Sequence, residues 1–298
     1  MMTTSETWSD VLPEFLRCPD CRSVLSTDID CVRCPDGHTF PVAGGVVDFV
    51  KADGAGGEVA PHLVDQETSG MYKRVDNYVL PWLRGFGAGV VLDDGCGVGH
   101  TVGYLREQGI DAYGIDPGPR QKYWPAQTSR LFRANGTKLP FADESFDAVL
   151  SSGVIEHIGE PLARRQQHPH QRAYIHEVIR VLRPGGRALI AAPNGAFPID
   201  FWHGTVGLIR LPLRPHVPYE AWMPNGPEVA GWVRSAPVDA EMRCLPPLGY
   251  LAFDNVRRHW YGRVFGGLMM SIFQLIDRYP RLSASPLNPW LIVEIRKD

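Results

Sequence analysis

The chain has no surplus of charge of either sign. Its 33 acidic residues face 30 basic ones, a formal net charge of −3, so it lacks the basic footprint that phosphate-backbone binding leaves. No stretch reaches the roughly 18 consecutive apolar residues that a membrane span requires. The first fifteen residues, MMTTSETWSDVLPEF, lack a basic segment followed by an apolar core, so no secretory signal is expected and the expected compartment is the cytoplasm. Internal repeats and low-complexity tracts are missing too. Cysteine is scarce: six in 298 residues. Four of the six fall between positions 18 and 34, which is a metal-site distribution, while Cys96 and Cys244 read as reduced thiols. What the chain does have is apolar content, 44% with 10% aromatic residues, enough to bury one large core or two smaller ones.

Composition divides the sequence into a cysteine-bearing head at 15–50, a glycine-rich joint KADGAGGE at 51–58, and a run in which strand and helix signatures alternate over 60–298. GVVLDDG reads as an apolar strand ending in a turn, TVGYLREQG as a short amphipathic helix stopped by Gly109, and DAYGID as a second strand. SFDAVLSSG is a third strand. QRAYIHEVIRVLRPGG is a helix with a Pro-Gly-Gly stop, and RALIAAPN is a fourth strand. DAEMRCLPPLG and NPWLIVEIRKD are two last strands separated by a helix around 255–279. Alternation of this kind predicts an α/β fold with a doubly wound, mostly parallel sheet. Residues 195–230, crowded with Pro, Trp and His, have no clear period; leaving the carboxyl end of a strand, they predict a lid or acceptor-binding insertion.

In the head, Cys18-Pro-Asp-Cys21 is one metal knuckle and CVRCPDGH at 31–38 offers three ligands for the second. Cys31 with Cys34 would close an all-cysteine site; Cys34 with His38 would close a three-cysteine, one-histidine site. Either completes a tetrahedron around zinc and leaves no open position, so the expected role is structural. Residues 15–50 carry Arg17, Arg22 and Arg33 against Asp20, Asp28, Asp30, Asp36 and Asp48. That acidic balance is the reverse of what an RNA-gripping module needs.

In VVLDDGCGVGH a strand runs to Asp93, and Gly95, Gly97 and Gly99 turn the chain into a helix whose N-terminus presents free N–H groups. The next strand ends in Asp116, 21 positions after Gly95, where a carboxylate can accept from ribose hydroxyls. Together with ANGTKLPFADESFDAVLSSGVIEHI and EVIRVLRPGGRALIAAPN, this pattern over about 85–195 resembles the class I S-adenosylmethionine-dependent methyltransferases, in particular their ubiquinone/menaquinone methyltransferase-like branch. The resemblance implies a seven-stranded Rossmann-like fold. It places Gly95, Cys96, Gly97 and Gly99 around the methionine part of the cofactor, Asp93 near its amino group, and Asp116 on the ribose. Asn135 and Gly136 fall on the adenine side, where Asn135 replaces the family's Asp and removes a charge-assisted bond. Ser152 opens the loop after the third strand, with Glu156 and His157 close to the cofactor. The order Cys18-x2-Cys21-x12-Cys34-x3-His38 resembles the zinc head of some class I enzymes, including a bacterial ribosomal-RNA guanine methyltransferase group, and favours Cys34 with His38 over Cys31.

Methyl transfer from a sulfonium needs alignment of the nucleophile and removal of its proton. Candidate bases are His203 first, in FPIDFWHG, which resembles a segment of bacterial polysaccharide and natural-product enzymes, then the neighbouring Asp200, His157 and His216. Trp202, Tyr219 and Trp222 could wall an apolar acceptor. His168 and His170 read as a solvated loop. VFGGLMMSIFQLI at 264–276 reads as a buried helix, with a lipid-facing mouth or a homodimer face as the other readings. The expected function is methylation, at oxygen, of a small molecule or a glycan or lipid-like intermediate. The alternatives are a ribosomal or transfer RNA methyltransferase using the zinc head, and a non-catalytic binding protein on the same fold.

Overall fold

The computed structural model describes residues 12–50, 70–125, 129–159, 164–200, 214–215, 223–251 and 260–298. The joint at 51–58, together with Trp202, His203, His216, Tyr219 and Trp222, lies outside them. Four short strands build the head: β1 (Ser26–Thr27), β2 (Cys31–Arg33), β3 (Thr39–Ala43) and β4 (Val46–Val47), antiparallel in that order. A helix over 71–84 follows, widened by a π turn at Val75–Val79 just before Pro81. Proline there lacks the N–H and clashes with the carbonyl four residues back, so a wider turn accommodates it.

The large sheet contains β5 (Val90–Asp94), β6 (Asp111–Ile115), β7 (Leu131–Phe132), β8 (Phe146–Ser152), β9 (Leu182–Pro193), β12 (Ala240–Cys244) and β13 (Trp290–Lys297). Two further short strands, β10 (Ile199–Asp200) and β11 (Arg214–Pro215), pair antiparallel with each other. The sheet order is β12-β13-β9-β8-β5-β6-β7, with β7, β6, β5, β8 and β9 parallel and β13 antiparallel to both its neighbours. This is the expected doubly wound Rossmann-like sheet. From β5 the chain winds to β6 and β7 on one side and then crosses to β8 on the other, so the switch point lies at the carboxyl ends of β5 and β8. Strands such as Val91–Leu92 and Ala148–Leu150 are buried on both faces, as a parallel sheet covered by helices requires.

Among the described residues the helices are α2 (His100–Glu107), α3 (Arg164–Val181), α4 (Gly226–Arg234) and α5 (Trp260–Arg278), with 71–84 as α1. The structure departs from the sequence pattern in three places. His168 is not in a solvated loop: α3 already includes it, and its half-buried ring packs edge-on to Trp232 with Nε2 3.6 Å from Glu228. Pro169 sits in the second turn of α3, and the exposed His170 follows it in the same helix. The Pro-Gly-Gly segment does not follow the helix as a separate stop: Leu182 already pairs with Phe146, Arg187 pairs with Ala148, and 183–186 bulge out between them. Finally, 226–230 are regular helix. Asn225 accepts from the Glu228 N–H while Glu228 accepts from the Asn225 N–H, a capping box with Pro227 in the first turn. On α5, Met269, Phe273 and Ile276 are buried while Leu268 and Leu275 are exposed, so one face of that helix is core.

The head does not stand apart. Phe49 N donates to the Arg133 carbonyl and Arg133 N donates to the Val47 carbonyl, at 2.8 and 3.1 Å, which aligns the end of β4 beside the chain leaving β7. Phe15 meets Tyr113, Phe141 and Phe146 edge-to-face with centroids 5.1 to 5.9 Å apart, and Phe49 lies against Phe132. Head and sheet therefore share one apolar core.

Candidate active site and metal centre

The expected cofactor residues converge at the carboxyl ends of the parallel strands. Asp93 and Asp94 end β5, Asp116 follows β6, Asn135 and Gly136 follow β7, and Ser152 ends β8. Gly95, Gly97 and Gly99 all have positive φ, between 55° and 85°. A Cβ on Gly95 would lie 2.2 Å from Val154 Cγ2, and one on Gly99 would lie 2.8 Å from Leu131. Gly95 and Gly99 consequently have to be glycine on both counts, conformational and steric.

Its N–H groups are less available than the sequence suggests. Gly95 and Cys96 both donate to the Ile115 carbonyl, Gly97 donates to Asp116 Oδ2, and Gly99 donates to the Cys96 carbonyl. The end of β6, the Asp116 carboxylate and the turn itself use these donors, so the turn offers close approach more than free N–H groups. Cys96 faces inward: the thiol is buried and fills the space over Gly114, whose Cβ would lie 2.8 Å from it. Burial pushes its pKa well up, keeping it a neutral packing group. Trp124, which no sequence motif marks, closes the turn from the other side by donating Nε1–H to the Gly97 carbonyl at 2.8 Å. Its only sequence signal was a large aromatic a few residues past Asp116.

Asp116 is buried, accepts from Gly97 N at 3.1 Å and Gly118 N at 2.8 Å, and has Arg120 3.8 Å away. Burial raises its pKa, with Arg120 and the two N–H groups opposing. Each carboxylate oxygen retains lone pairs, which suits a vicinal diol. Asn135 Oδ1 accepts from both the N–H and the hydroxyl of Thr137 at 2.9 Å, an Asx turn that shapes the loop and turns the amide into its scaffold. Gly136 packs so tightly that a Cβ would meet Tyr174 at 2.6 Å and Asp94 Oδ1 at 2.9 Å. Ser152 Oγ accepts from Arg74 Nη1 at 3.3 Å, and Arg74 lies over the buried Tyr250 ring. Glu156 is buried in the 3-10 turn Ile155–His157 whereas His157 is exposed. Asp200, in β10, is buried, and His203 lies outside the described residues.

Beneath the turn, Asp94 is buried, hydrogen-bonded with Tyr174, and its Oδ2 has no hydrogen-bond partner among the described residues. Burial first, then Asp93, Asp116 and Glu177, push its pKa up to about 8. An acid whose folded value exceeds its unfolded one, near 3.8, holds its proton longer when folded. Stability then declines as pH rises from about 4 to about 8. Asp94→Asn, which carries no ionisable group, is expected to flatten that decline. Thermal unfolding at pH 5.5 and 8.0 checks this, and a variant that loses as much stability as the parent between the two would refute it.

In the head, Cys18, Cys21, Cys34 and His38 gather with their ligand atoms all within 4.8 Å of one another. Cys21 and Cys34 sulfurs are 3.5 Å apart, and His38 Nδ1 lies 3.3 Å from Cys34 and 3.6 Å from Cys18. Bonds of about 2.3 Å to sulfur give tetrahedral edges near 3.8 Å, so a three-sulfur, one-nitrogen zinc site fits. Cys31 lies outside the group, at the start of β2, with its sulfur 3.9 Å from Arg33.

Residues 92–190 match the family model described as a methyltransferase domain. The chain is 38% identical over 108 residues to an uncharacterised methyltransferase of Mycobacterium sp. strain JLS, covering 35% of this chain and 39% of that protein. It is 35% identical over 106 residues to one of Mycolicibacterium vanbaalenii, covering 34% and 38%. Among solved structures, a chain from the complex of the Haloferax volcanii Trm112 methyltransferase activator with a methyltransferase overlaps at a TM-score of 0.46. It has 17% identity over 79% of this chain and 94% of that one. The match thus spans about two fifths of the length of the curated relatives. Over residues 92–190, this chain carries a methyltransferase domain.

Proposed function

We propose that the chain is a class I S-adenosylmethionine-dependent methyltransferase, of the ubiquinone/menaquinone methyltransferase-like branch, with a structural zinc ribbon in front. The observation that carries this is the turn at 95–99, with positive φ at Gly95, Gly97 and Gly99, beside the buried Asp116 at the switch point of the sheet. Asp116 would accept from the ribose hydroxyls, Gly95 to Gly99 would pass the methionine part, with Asp93 beside its amino group and Ser152 nearby. Gly136 and the exposed amide of Asn135 would border the adenine. When bound, the cofactor supplies an electrophilic methyl group on a sulfonium. The protein's own task is to align the acceptor in line with it and take up the acceptor's proton.

The acceptor is a small molecule or a glycan or lipid-like intermediate, methylated at oxygen. Nucleic acid is disfavoured because the head's arginines are committed within the protein. Arg17 donates to the Glu14 and Leu16 carbonyls, Arg22 pairs with Glu177, and Arg33 pairs with Asp28. Titration calorimetry with S-adenosylhomocysteine tests the cofactor assignment: micromolar binding supports it, and no heat at millimolar ligand refutes it. Salt-sensitive retention of ribosomal RNA in a gel shift would instead favour the RNA reading.

For the base we assign His203, with Asp200 and His157 behind it. His203→Ala is expected to lower turnover by on the order of a hundredfold or more while cofactor affinity stays within twofold. An unchanged rate removes His203 from the mechanism.

A further inference from the structure

We infer that Arg22, in the metal-binding head, is a positioning residue for the 135–140 loop, so that metal binding and cofactor binding are linked through it. This rests on the methyltransferase reading of that loop. Arg22 directly follows the ligand Cys21 and has φ 65°, a left-handed conformation unusual for a non-glycine residue. The knuckle imposes it: Arg22 N donates to the Cys18 carbonyl at 2.8 Å, and Cys18 N donates to the Ser23 carbonyl at 3.0 Å. The knuckle thereby aims the guanidinium away from the head and across to the methyltransferase domain.

There Arg22 makes a fork. Nη1 donates to the Leu139 carbonyl and Nη2 to Glu177 Oε1, both at 2.7 Å. The other Glu177 oxygen accepts from Leu139 N at 2.8 Å, so both polar groups of one peptide residue are held by the Arg22–Glu177 pair. Arg180 reinforces the same two partners at 2.9 and 3.2 Å. One residue earlier, Lys138 reaches Asp20, which lies between the two cysteines of the knuckle, at 3.2 Å. At the loop's other end, Gly136 sits on Tyr174 and Asp94 with no room for a methyl group. The segment bearing Asn135 and Gly136 is therefore clamped from beneath by α3 and from outside by the metal knuckle.

A bidentate guanidinium that bridges a carbonyl and a carboxylate is not replaced by a point cation. With no metal, the cysteine pair no longer constrains the left-handed Arg22, and the loop loses its outer clamp. Coupling between sites is reciprocal: if metal tightens cofactor binding, cofactor must retain metal by the same factor.

The experiment uses the full zinc-loaded chain and two readouts: S-adenosylhomocysteine affinity by calorimetry, and zinc release to a chromogenic chelator with and without that ligand. Arg22→Ala is expected to weaken the affinity about five- to tenfold, the lower range of allosteric couplings, and to abolish the slowing of zinc release that the ligand produces in the parent. Arg22→Lys, which keeps charge but not the fork, should fall between the two, and serves as the test variant if circular dichroism shows Arg22→Ala unfolded. A parent that binds no S-adenosylhomocysteine refutes the methyltransferase reading. A parent that binds it while the Arg22 variants bind equally well, or release zinc with the same ligand dependence, refutes the linkage alone.

Discussion

Gly95→Ala is expected to remove detectable binding of S-adenosylhomocysteine and to destabilise the fold. Two independent costs meet at this position. The backbone φ of 85° lies in the left-handed region, where an L side chain costs roughly 1–2 kcal/mol. The new methyl would also stand 2.2 Å from Val154 Cγ2, and overpacking of that kind costs typically about 1–3 kcal/mol. Relief requires the 95–99 turn or the 153–157 loop to move, and both border the proposed cofactor site. Gly103→Ala supplies the control, because Gly103 lies within α2 with nothing within 4 Å of the added methyl. Ala is the better helix former by about 1 kcal/mol, so that variant should bind normally and melt no earlier. Equal ligand affinity in Gly95→Ala and the parent would show that the turn does not form the binding surface.

Loss of the zinc proposed for the head should have the other large effect. Cys18→Ser, or prolonged chelation, is expected to release zinc and lower the unfolding temperature of the whole chain by roughly 10 °C, corresponding to about 3–5 kcal/mol for a protein of this size. A single transition is expected. The head contributes Phe15, Phe40 and Phe49 to the core that also contains Phe132, Phe141 and Phe146, so it cannot melt without exposing that side of the sheet. Cys31→Ser should keep both metal and melting temperature, since Cys31 lies outside the ligand group. Two separate transitions, or metal loss from Cys31→Ser, would contradict this account.

The alternating strands and helices and the order of the glycines were readable from sequence because they are local. A strand ending in Asp93, a turn at Gly95 to Gly99 and a second strand ending in Asp116 are patterns of period and punctuation within 30 residues. The helix at Gly226–Arg234 had an equally local signal, its Asn225-Gly-Pro-Glu cap, and was hidden by the irregular composition before it. The bulge at 183–186 was not readable, because it depends on how β9 pairs with β8.

The sequence by itself determined which residue types stand where chemistry needs them: five candidate metal ligands at the front, three glycines in one turn, an acid after the next strand. Only the tertiary structure decided among them. It left Cys31 out of the ligand cluster, turned the Cys96 thiol into the core, and spent N–H groups of the turn on the end of β6, the Asp116 carboxylate and the turn itself. It also brought Arg22 to Leu139 and Glu177, 117 and 155 positions away. Distances of that kind are set by the closure of one core around many segments, a cooperative packing solution that no window of sequence contains.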